Sequence, residues 1–424
     1  MGAVACHADG AAGIVHRAYS ARAILLARLS LFSLPGGCFV ASTASLDMIR
    51  RLIAYDTTSA LSNLALIEDV RAYLAGYGVE SRLTYDEHHG KANLFATIGP
   101  KDKGGVVLSG HTDVVPVTGQ PWDTDPFEVV EKDGRLYGRG TCDMKSFIAL
   151  GLALVPEMVK ADLKVPIHFA LSYDEEVGCF GVKHLIADIL ANLPMPRAVI
   201  IGEPTEMRLI TGHKGVSDYR VKVRGVAGHS SMPQNGVNAI FSASTVIEAV
   251  KRMQEEAKQR LSAQDFEPPY STYNIGLIEG GTAGNIIAQD CDFAVEIRVI
   301  PEDDAAALEA ALFSEVAALD AALKAQHPLA GASVSLKAGV PPLRPETDGA
   351  AEALLKHLTG INQTGVVAFA TEGGMFQDAG MSTIMCGPGS IVQAHQPNEY
   401  ITLSQVDAGE AFLRKLVAWA QTAD

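Results

Sequence analysis

The sequence is poor in the features that identify several large classes of protein. Its six cysteines, in 424 residues, are widely spaced and include no CxxC pair, which favours free thiols in a reducing compartment and hence a cytoplasmic location. The net charge of -15 disfavours nucleic acid and anionic membranes as partners, because the summed field would repel both. Ser230 and Ser231 lack the G-x-S-x-G elbow that exposes a nucleophilic serine. Beyond residue 44, no apolar run is long enough to span a bilayer.

The first 44 residues differ in composition from the rest of the chain. They contain several arginines, a single acid, Asp9, and an apolar stretch that Arg28 interrupts. This composition is compatible with a poor signal peptide, an Arg-rich presequence, a loose tail or an over-extended reading frame. We predict that the fold begins after this tail.

From residue 45 onwards, hydrophobicity alternates between helical and strand periods. Helical spacing of apolar residues predicts helices over 61–77 and 144–159. Short apolar runs predict strands, which cover residues 93–98, 105–109, 167–171 and 198–201. Strands that alternate with helices are typical of a mostly parallel sheet covered on both faces, so we predict an α/β fold.

The pattern changes near Gly215. The segments that follow predict a strand, a helix, two strands, a helix and a last strand, at residues 217–224, 237–260, 272–280, 291–299, 303–323 and 333–337. This order is typical of a ferredoxin-like α+β sandwich. After it, helices at 350–358 and 403–420 and strands at 366–370 and 382–386 restore the α/β pattern. We therefore predict a large domain in two parts, residues 45–215 and 341–424, with the sandwich, residues 216–340, inserted between them.

Several candidate metal ligands lie near the ends of predicted strands of the large domain. His111 follows GVVLSG, Glu176 follows VPIHFALSY, and Glu203 follows RAVIIG. Asp143 ends the glycine-rich turn GRGTCD, and His395 lies in the returning part of the domain. Because an open α/β sheet builds its active site at the carboxyl edge of its strands, we expect these side chains to meet there.

Three carboxylates in one crevice would raise each other's pKa unless positive charge is supplied. Two divalent ions, bridged by one carboxylate and each with an open position, would supply it, as in two-metal hydrolases. Mixed imidazole and carboxylate ligation suits zinc, with cobalt or manganese possible. Asp113 lies two residues after His111, so its side chain could accept the second ring proton of that imidazole.

Glu175 and Glu176 are adjacent, so both side chains cannot reach the same ion without distorting the backbone. One of them is expected to bind metal, and the other to face the attacking water. A carboxylate that hydrogen-bonds this water can take its proton and pass it to the leaving amine.

The chain resembles the M20 family of metallopeptidases, and most closely its members that deacetylate N-acetylornithine. The matching segments, which cover residues 48–424 in the family's order, are SGHTDVVP, GRGTCDMKSF, SYDEEVGCFG, IGEPT, HKGVSDYRV, GHSSMPQNGVNAI, GGTAGNII and CGPGSIVQAHQPNEY. The resemblance implies that Asp143 bridges two metal ions. His111 and Glu203 would then complete the ligand set of one ion, and Glu176 and His395 that of the other. It also implies that Glu175 is the general base and that Asp113 orients His111.

The resemblance further implies that the inserted sandwich is a lid through which a homodimer forms. His229 would then stabilise the oxyanion, commonly in the neighbouring subunit's site, and Asn285 and Arg298 would contact substrate. The guanidinium of Arg298 suits an α-carboxylate, which it can bind with two hydrogen bonds. An equally good interpretation is that Arg298 is an ordinary charged residue on the solvent face of a strand. Glu372, in TEGGMF, offers a negative charge to a side-chain ammonium.

These observations predict a metal-dependent hydrolase that deacylates a small N-acyl amino acid, with N2-acetyl-L-ornithine as the first choice. The alternatives within the same chemistry are a succinyl-diaminopimelate desuccinylase, an aminoacylase and a dipeptidase. The alternative from another class is a non-catalytic metal-binding relative, which has no reason to keep Glu175 beside a full set of ligands.

Overall fold

The computed structural model describes residues 41–423 of the chain. Within these residues the helices are α1 (Thr43–Ile53), α2 (Leu64–Gly76), α3 (Lys145–Ala153), α4 (Val155–Lys160), α5 (Val182–Asn192), α6 (Ala239–Arg260), α7 (Ala305–Gln326), α8 (Ala350–Thr359), α9 (Gly373–Asp378) and α10 (Leu403–Thr422). The strands are β1 (Ser81–Tyr85), β2 (Ala92–Ile98), β3 (Val106–His111), β4 (Val130–Lys132), β5 (Arg135–Tyr137), β6 (Ile167–Ser172), β7 (Ala198–Pro204), β8 (Leu209–His213), β9 (Gly215–Arg224), β10 (Thr272–Gly280), β11 (Asp290–Val299), β12 (Gly331–Val340), β13 (Thr364–Val367), β14 (Thr383–Gly387) and β15 (Tyr400–Thr402). Within that range, no helix combines the length and apolar character needed to cross a bilayer.

Eight strands form the large sheet, in the order β1-β2-β6-β3-β7-β14-β8-β13. The four central strands, β6, β3, β7 and β14, run parallel to one another. Their carboxyl ends therefore lie at one edge of the sheet. The outer pairs β1-β2, β2-β6 and β14-β8 are antiparallel.

The central strands are buried on both faces, which explains why they appear in the sequence as continuous apolar runs. Successive residues of β3 enter opposite layers: Leu108 packs with α1, α3 and α10, whereas Val107 packs with α5 and α9. Each layer is a separate hydrophobic core, so the sheet is held from both sides.

The second sheet has the order β10-β11-β9-β12 and is wholly antiparallel. Together with α6 and α7 it forms a sandwich with its own core, which includes Tyr219, Phe293 and Leu312. Helices α6 and α7 begin where Asn238 and Asp304 accept hydrogen bonds from first-turn backbone N–H groups. The α/β fold with an inserted ferredoxin-like sandwich, predicted from the sequence, is confirmed.

The chain enters and leaves this sandwich at one place. The backbone of His213 and that of Leu343 exchange two hydrogen bonds, of 3.1 and 3.2 Å. The domain boundaries predicted near these residues, at 215/216 and 340/341, stay a prediction. A small third sheet, β15-β5-β4, joins the final segment of the chain to residues 130–137.

Two local predictions need correction. The helix predicted over 144–159 is broken at Leu154 into α3 and α4, because Pro156 has no N–H and its ring clashes with the preceding turn. The strand predicted at 366–370 lies earlier, at β13, where the short edge strand pairs only with β8. The predicted tail, residues 1–44, falls outside the described residues except for its last four, within which α1 begins at Thr43.

Gly202 provides a test of how closely α3 packs on the central sheet. A Cβ atom added at Gly202 would lie 2.0 Å from Cδ1 of Phe147, whereas one added at Gly365 of the same sheet would meet only Ile210, at 3.4 Å. We expect Gly202→Ala to lower the free energy of unfolding by about 1–3 kcal/mol through overpacking. Thermal unfolding monitored by circular dichroism, with Gly365→Ala as the matched control, measures this. Equal melting temperatures for the two variants would contradict the packing described for Phe147.

Candidate active site

Five predicted metal ligands meet at the carboxyl edge of the central strands. His111 ends β3, Glu203 lies near the end of β7, and Glu176 follows β6. Asp143 is placed just before α3, and His395 is delivered by the loop after β14. The parallel order β6-β3-β7-β14 explains the meeting, since the segments that follow these strands emerge side by side.

Asp143 lies between the two imidazoles. Its Oδ1 is 3.0 Å from Nε2 of His111, and its Oδ2 is 3.3 Å from Nε2 of His395. Glu203 approaches Nε2 of His111 at 3.7 Å, and Glu176 approaches Nε2 of His395 at 3.0 Å. The ligand atoms thus form two groups that share one carboxylate, and His111, Asp143 and Glu176 offer ligand atoms within 4.8 Å of one another.

The second ring nitrogen of His111 is fixed by the backbone. Nδ1 lies 2.9 Å from the carbonyl oxygen of Asp113, and 3.7 Å from the carboxylate of the same residue. A carbonyl only accepts hydrogen bonds, so Nδ1 carries the proton and Nε2 is the nitrogen that faces the acids. The main chain of residue 113, and not the predicted carboxylate, supplies this hydrogen bond.

The carboxylate of Asp113 holds the loop after β6. It accepts the hydroxyl of Ser59 at 2.7 Å and the backbone N–H groups of Glu175 and Glu176 at 3.1 and 3.3 Å. Lys91 adds an ion pair with Asp174 in the same loop. The conformation that presents both glutamates therefore depends on contacts that local sequence patterns do not reveal.

Glu175 is half-buried and has no direct contact with the two imidazoles. Its Oε1 lies 3.6 Å from Sγ of Cys179. Burial raises the pKa of Glu175 well above its usual range, and the charge of Glu203 adds to this rise against the opposing effect of His111. Glu176, by contrast, contacts His395, so the two neighbouring glutamates have different surroundings.

The electrostatics of the cluster show a shortage of positive charge. Burial raises the pKa of Glu203 well above its usual range, and the charge of Asp143 raises it further. Burial and Asp143 likewise raise the pKa of Glu176, despite the hydrogen bond with His395. Hydrogen bonds with Asp143 and Glu176 raise the pKa of His395 to about 10. The acids thus draw the imidazoles towards their charged form.

These residues fit a pair of divalent cations. Two imidazoles and three carboxylates are the donor types that zinc and related ions take in proteins. Two ions would also provide the positive charge that buried carboxylates need in order to ionise together. His395 is 52% exposed whereas His111 is 1% exposed, so the cluster opens to solvent on the His395 side.

Glu372 is buried beside the cluster, at the start of α9, and is 2% exposed. Its Oε2 lies 3.5 Å from the hydroxyl of Ser109, two residues before His111, and its Oε1 has no hydrogen-bond partner. Burial raises the pKa of Glu372 to about 7. A buried carboxylate with an unpaired oxygen is a place where a positive group would be stabilised.

Three predicted residues lie in the sandwich, and no contact in the described part of the chain joins them to the cluster. His229 is exposed, with Nδ1 at 2.7 Å from the hydroxyl of Ser231. Asn285 is exposed beside it, and its carbonyl accepts the N–H of Ser230 at 3.1 Å. Arg298, on β11, forms two hydrogen bonds of 3.0 Å with Glu296.

Sequence reasoning missed the buried pair Arg139 and Glu399. Their side chains are 1% and 0% exposed and form an ion pair of 2.6 Å directly behind Asp143. Both residues lie in segments that match the family, GRGTCDMKSF and the segment that contains His395. That position was the one signal that could have identified them.

Comparison with known proteins places this geometry in a family. The model of "Peptidase family M20/M25/M40" matches residues 107–419. The chain is 34% identical over 380 residues to an acetylornithine deacetylase of Proteus mirabilis, covering 88% of this chain and 95% of the relative.

Solved structures share the fold. One is an M20 family metallo-carboxypeptidase of Sulfolobus solfataricus, with a TM-score of 0.71 at 17% identity, covering 90% of this chain and 100% of the other. Another is a dinuclear metal-binding peptidase of the M20 family from Bacillus subtilis, with a TM-score of 0.59 at 14% identity, covering 88% and 96%. The predicted family is confirmed: this chain belongs to peptidase family M20/M25/M40 and is a metal-dependent hydrolase.

Proposed function

We propose that the protein hydrolyses the amide bond of an N-acyl amino acid, and that its substrate is N2-acetyl-L-ornithine, which it converts to L-ornithine and acetate. The observation that carries the proposal is the pair of ligand groups that share Asp143, with Glu175 beside them and outside the ligand contacts. The named relative at 34% identity supports the choice of substrate. A role in arginine biosynthesis and a cytoplasmic location follow from this choice and stay predictions.

The ligand assignment follows the two groups. His111, Asp143 and Glu203 would hold one cation, and Asp143, Glu176 and His395 the other, with zinc as the expected ion and cobalt as a substitute. When bound, such ions polarise the amide carbonyl and lower the pKa of a water molecule. The fixed tautomer of His111 and the shared carboxylate prepare the protein for this arrangement.

Glu175 is the proposed general base. It takes a proton from the water whose oxygen attacks the carbonyl carbon, and it gives that proton to the amide nitrogen as the C–N bond breaks. The products are then a free amine and a carboxylate. Its backbone is held by Asp113 while its side chain is free of the imidazoles, which leaves the carboxylate able to transfer protons.

Glu372 is the proposed recognition site for the side-chain ammonium of the substrate. It is the buried acid next to the cluster that has an oxygen without a partner. Arg298 and Asn285 are proposed to contact the rest of the substrate. For Arg298 to bind the α-carboxylate, that carboxylate has to take the place of Glu296 on the guanidinium.

The inserted sandwich, residues 216–340, is the proposed lid and dimerisation domain. Its edge strand β10 and helix α6 expose large apolar side chains, since Phe241, Leu277 and Ile278 are 77, 64 and 54% exposed. An open strand edge beside apolar side chains favours association with a second copy. His229, exposed in its own chain, would then reach the partner's site and stabilise the oxyanion.

Glu175→Gln separates proton transfer from metal binding. We expect the variant to retain both ions and to lose about 10²–10⁴-fold in kcat, because the side-chain amide of the introduced glutamine cannot take the proton from the attacking water. Metal content by atomic emission and turnover of acetylornithine by amine detection measure the two effects. Glu87→Gln, at an exposed loop position, is the matched control. Normal turnover in Glu175→Gln would overturn the assignment.

Glu372→Gln tests substrate choice. We expect kcat/KM for N2-acetylornithine to fall by about 30-fold or more, since a buried carboxylate would no longer pair with the ammonium. The value for N-acetylnorvaline, which has the same chain without the terminal amine, should change little. An unchanged ratio between the two substrates would refute this role. N-succinyl and dipeptide substrates in the same assay would reveal another M20-type activity.

Mixed dimers test the role of His229. A dimer of one His229→Ala chain and one Glu175→Gln chain, purified through two different tags, contains one complete site if His229 acts in the partner's site. It contains none if His229 acts in its own chain. We therefore expect about half of the wild-type activity for the mixed dimer, and near background for either variant alone. An inactive mixed dimer, or a monomer by light scattering, would exclude the arrangement.

A further inference from the structure

Three separate segments of the chain meet directly behind Asp143 and His395. Gln120, Arg139 and Glu399 make the contacts between these segments. Arg139 and Glu399 are buried, and Gln120 is half-buried at the rim.

Glu399 fixes the turn that carries Asp143. Its Oε1 accepts the backbone N–H groups of Gly140, Cys142 and Asp143 at 3.0, 2.8 and 3.1 Å. Its Oε2 accepts Nη1 of Arg139 at 2.6 Å. One carboxylate thus uses both oxygens to hold the backbone of the shared ligand.

Gln120 connects this turn to the loop of His395. Its Oε1 accepts Nη2 of Arg139 at 2.6 Å, and its Nε2 donates to the carbonyl oxygen of His395 at 3.0 Å. Arg139 also approaches the carbonyl of Gln396 at 3.4 Å. The oxygen and the nitrogen of one side-chain amide therefore join the segments that carry Asp143 and His395.

The backbone of His395 needs such a contact. Its φ is 62°, in the left-handed region that non-glycine residues occupy only where surrounding contacts fix them. Because the side chain is 52% exposed, packing around the imidazole gives little support. The hydrogen bond from Gln120 acts on the carbonyl of this same residue.

We propose that Gln120 is a positioning residue for metal binding, which sets His395 at the correct distance from Asp143 and so supports one of the two ions more than the other. The inference rests on the proposed two-ion hydrolase. Gln120 makes no contact with His111 or Glu203 in the described part of the chain. Its direct hydrogen bond to a ligand residue is to His395, so the ion held through Glu176 and His395 depends on Gln120 more than the other ion does.

The test is zinc titration of the metal-stripped full chain by calorimetry. We expect the wild type to bind two ions, and Gln120→Met to bind one of them about 10- to 100-fold more weakly, as when a contact that orients a metal ligand is lost. Gln120→Glu keeps the acceptor for Arg139 but loses the donor to His395, so it should show the same selective loss. Gln254→Met, which removes a glutamine that accepts the N–H of Tyr273 in the sandwich, is the matched control.

The double variant with His395→Ala distinguishes positioning from a general effect on folding. If Gln120 acts through His395, Gln120→Met should weaken zinc binding no further in the His395→Ala background. The inference would be overturned by equal weakening of the binding of both ions, by full additivity of the two substitutions in the free energy of zinc binding, or by wild-type affinity in Gln120→Met.

Hydrolysis of acetylornithine is measured separately. A wild type that binds two ions and hydrolyses no N-acyl amino acid would refute the proposed function and leave the positioning role of Gln120 intact.

Discussion

The contact of one carboxylate with two imidazoles is the interaction on which the rest of this structure depends. Asp143 reaches His111 with one oxygen and His395 with the other, and the two histidines belong to distant parts of the chain. His395 follows β14, so that contact forms only when β14 returns to pair with β7. The candidate site is therefore complete only when the large sheet is complete.

The charge distribution around Asp143 follows from this geometry. Acids gathered in a crevice repel one another, and burial strengthens the repulsion. In the described part of the chain, two buried basic side chains lie behind them: Arg139 pairs with Glu399, and Lys145, whose pKa burial lowers to about 7, donates to the carbonyl of Tyr55 at 2.8 Å. Both are occupied with holding backbone or a structural acid. Divalent ions on the solvent side, where His395 is exposed, would supply the positive charge that these two side chains do not.

The meeting of the five predicted ligands could be predicted from the sequence because each of them follows a buried strand or a glycine-rich turn, and because the family's segments are long. The sequence did not allow the supporting contacts to be predicted. Glu399 and Gln120 act through hydrogen bonds between residues far apart in the chain, which leave no periodic pattern. For Asp113 the expected side-chain hydrogen bond to His111 is made by the main chain. Short elements such as β8, which lies between a turn and the start of the sandwich, were also missed, because five residues carry too little periodicity.

The attachment of the sandwich explains how an insertion of this size leaves the site intact. The chain departs after His213 and returns at Leu343, and the two residues hydrogen-bond to each other. Lys214, buried at the departure point, donates to the carbonyls of Pro268 and Tyr270 and so holds the base of the sandwich to this crossing. Because the chain returns where it left, β13 and β14 can join the large sheet as if nothing had been inserted. The position of His395 therefore does not require the insertion to be short, and the sandwich can carry exposed groups such as His229 away from the large sheet.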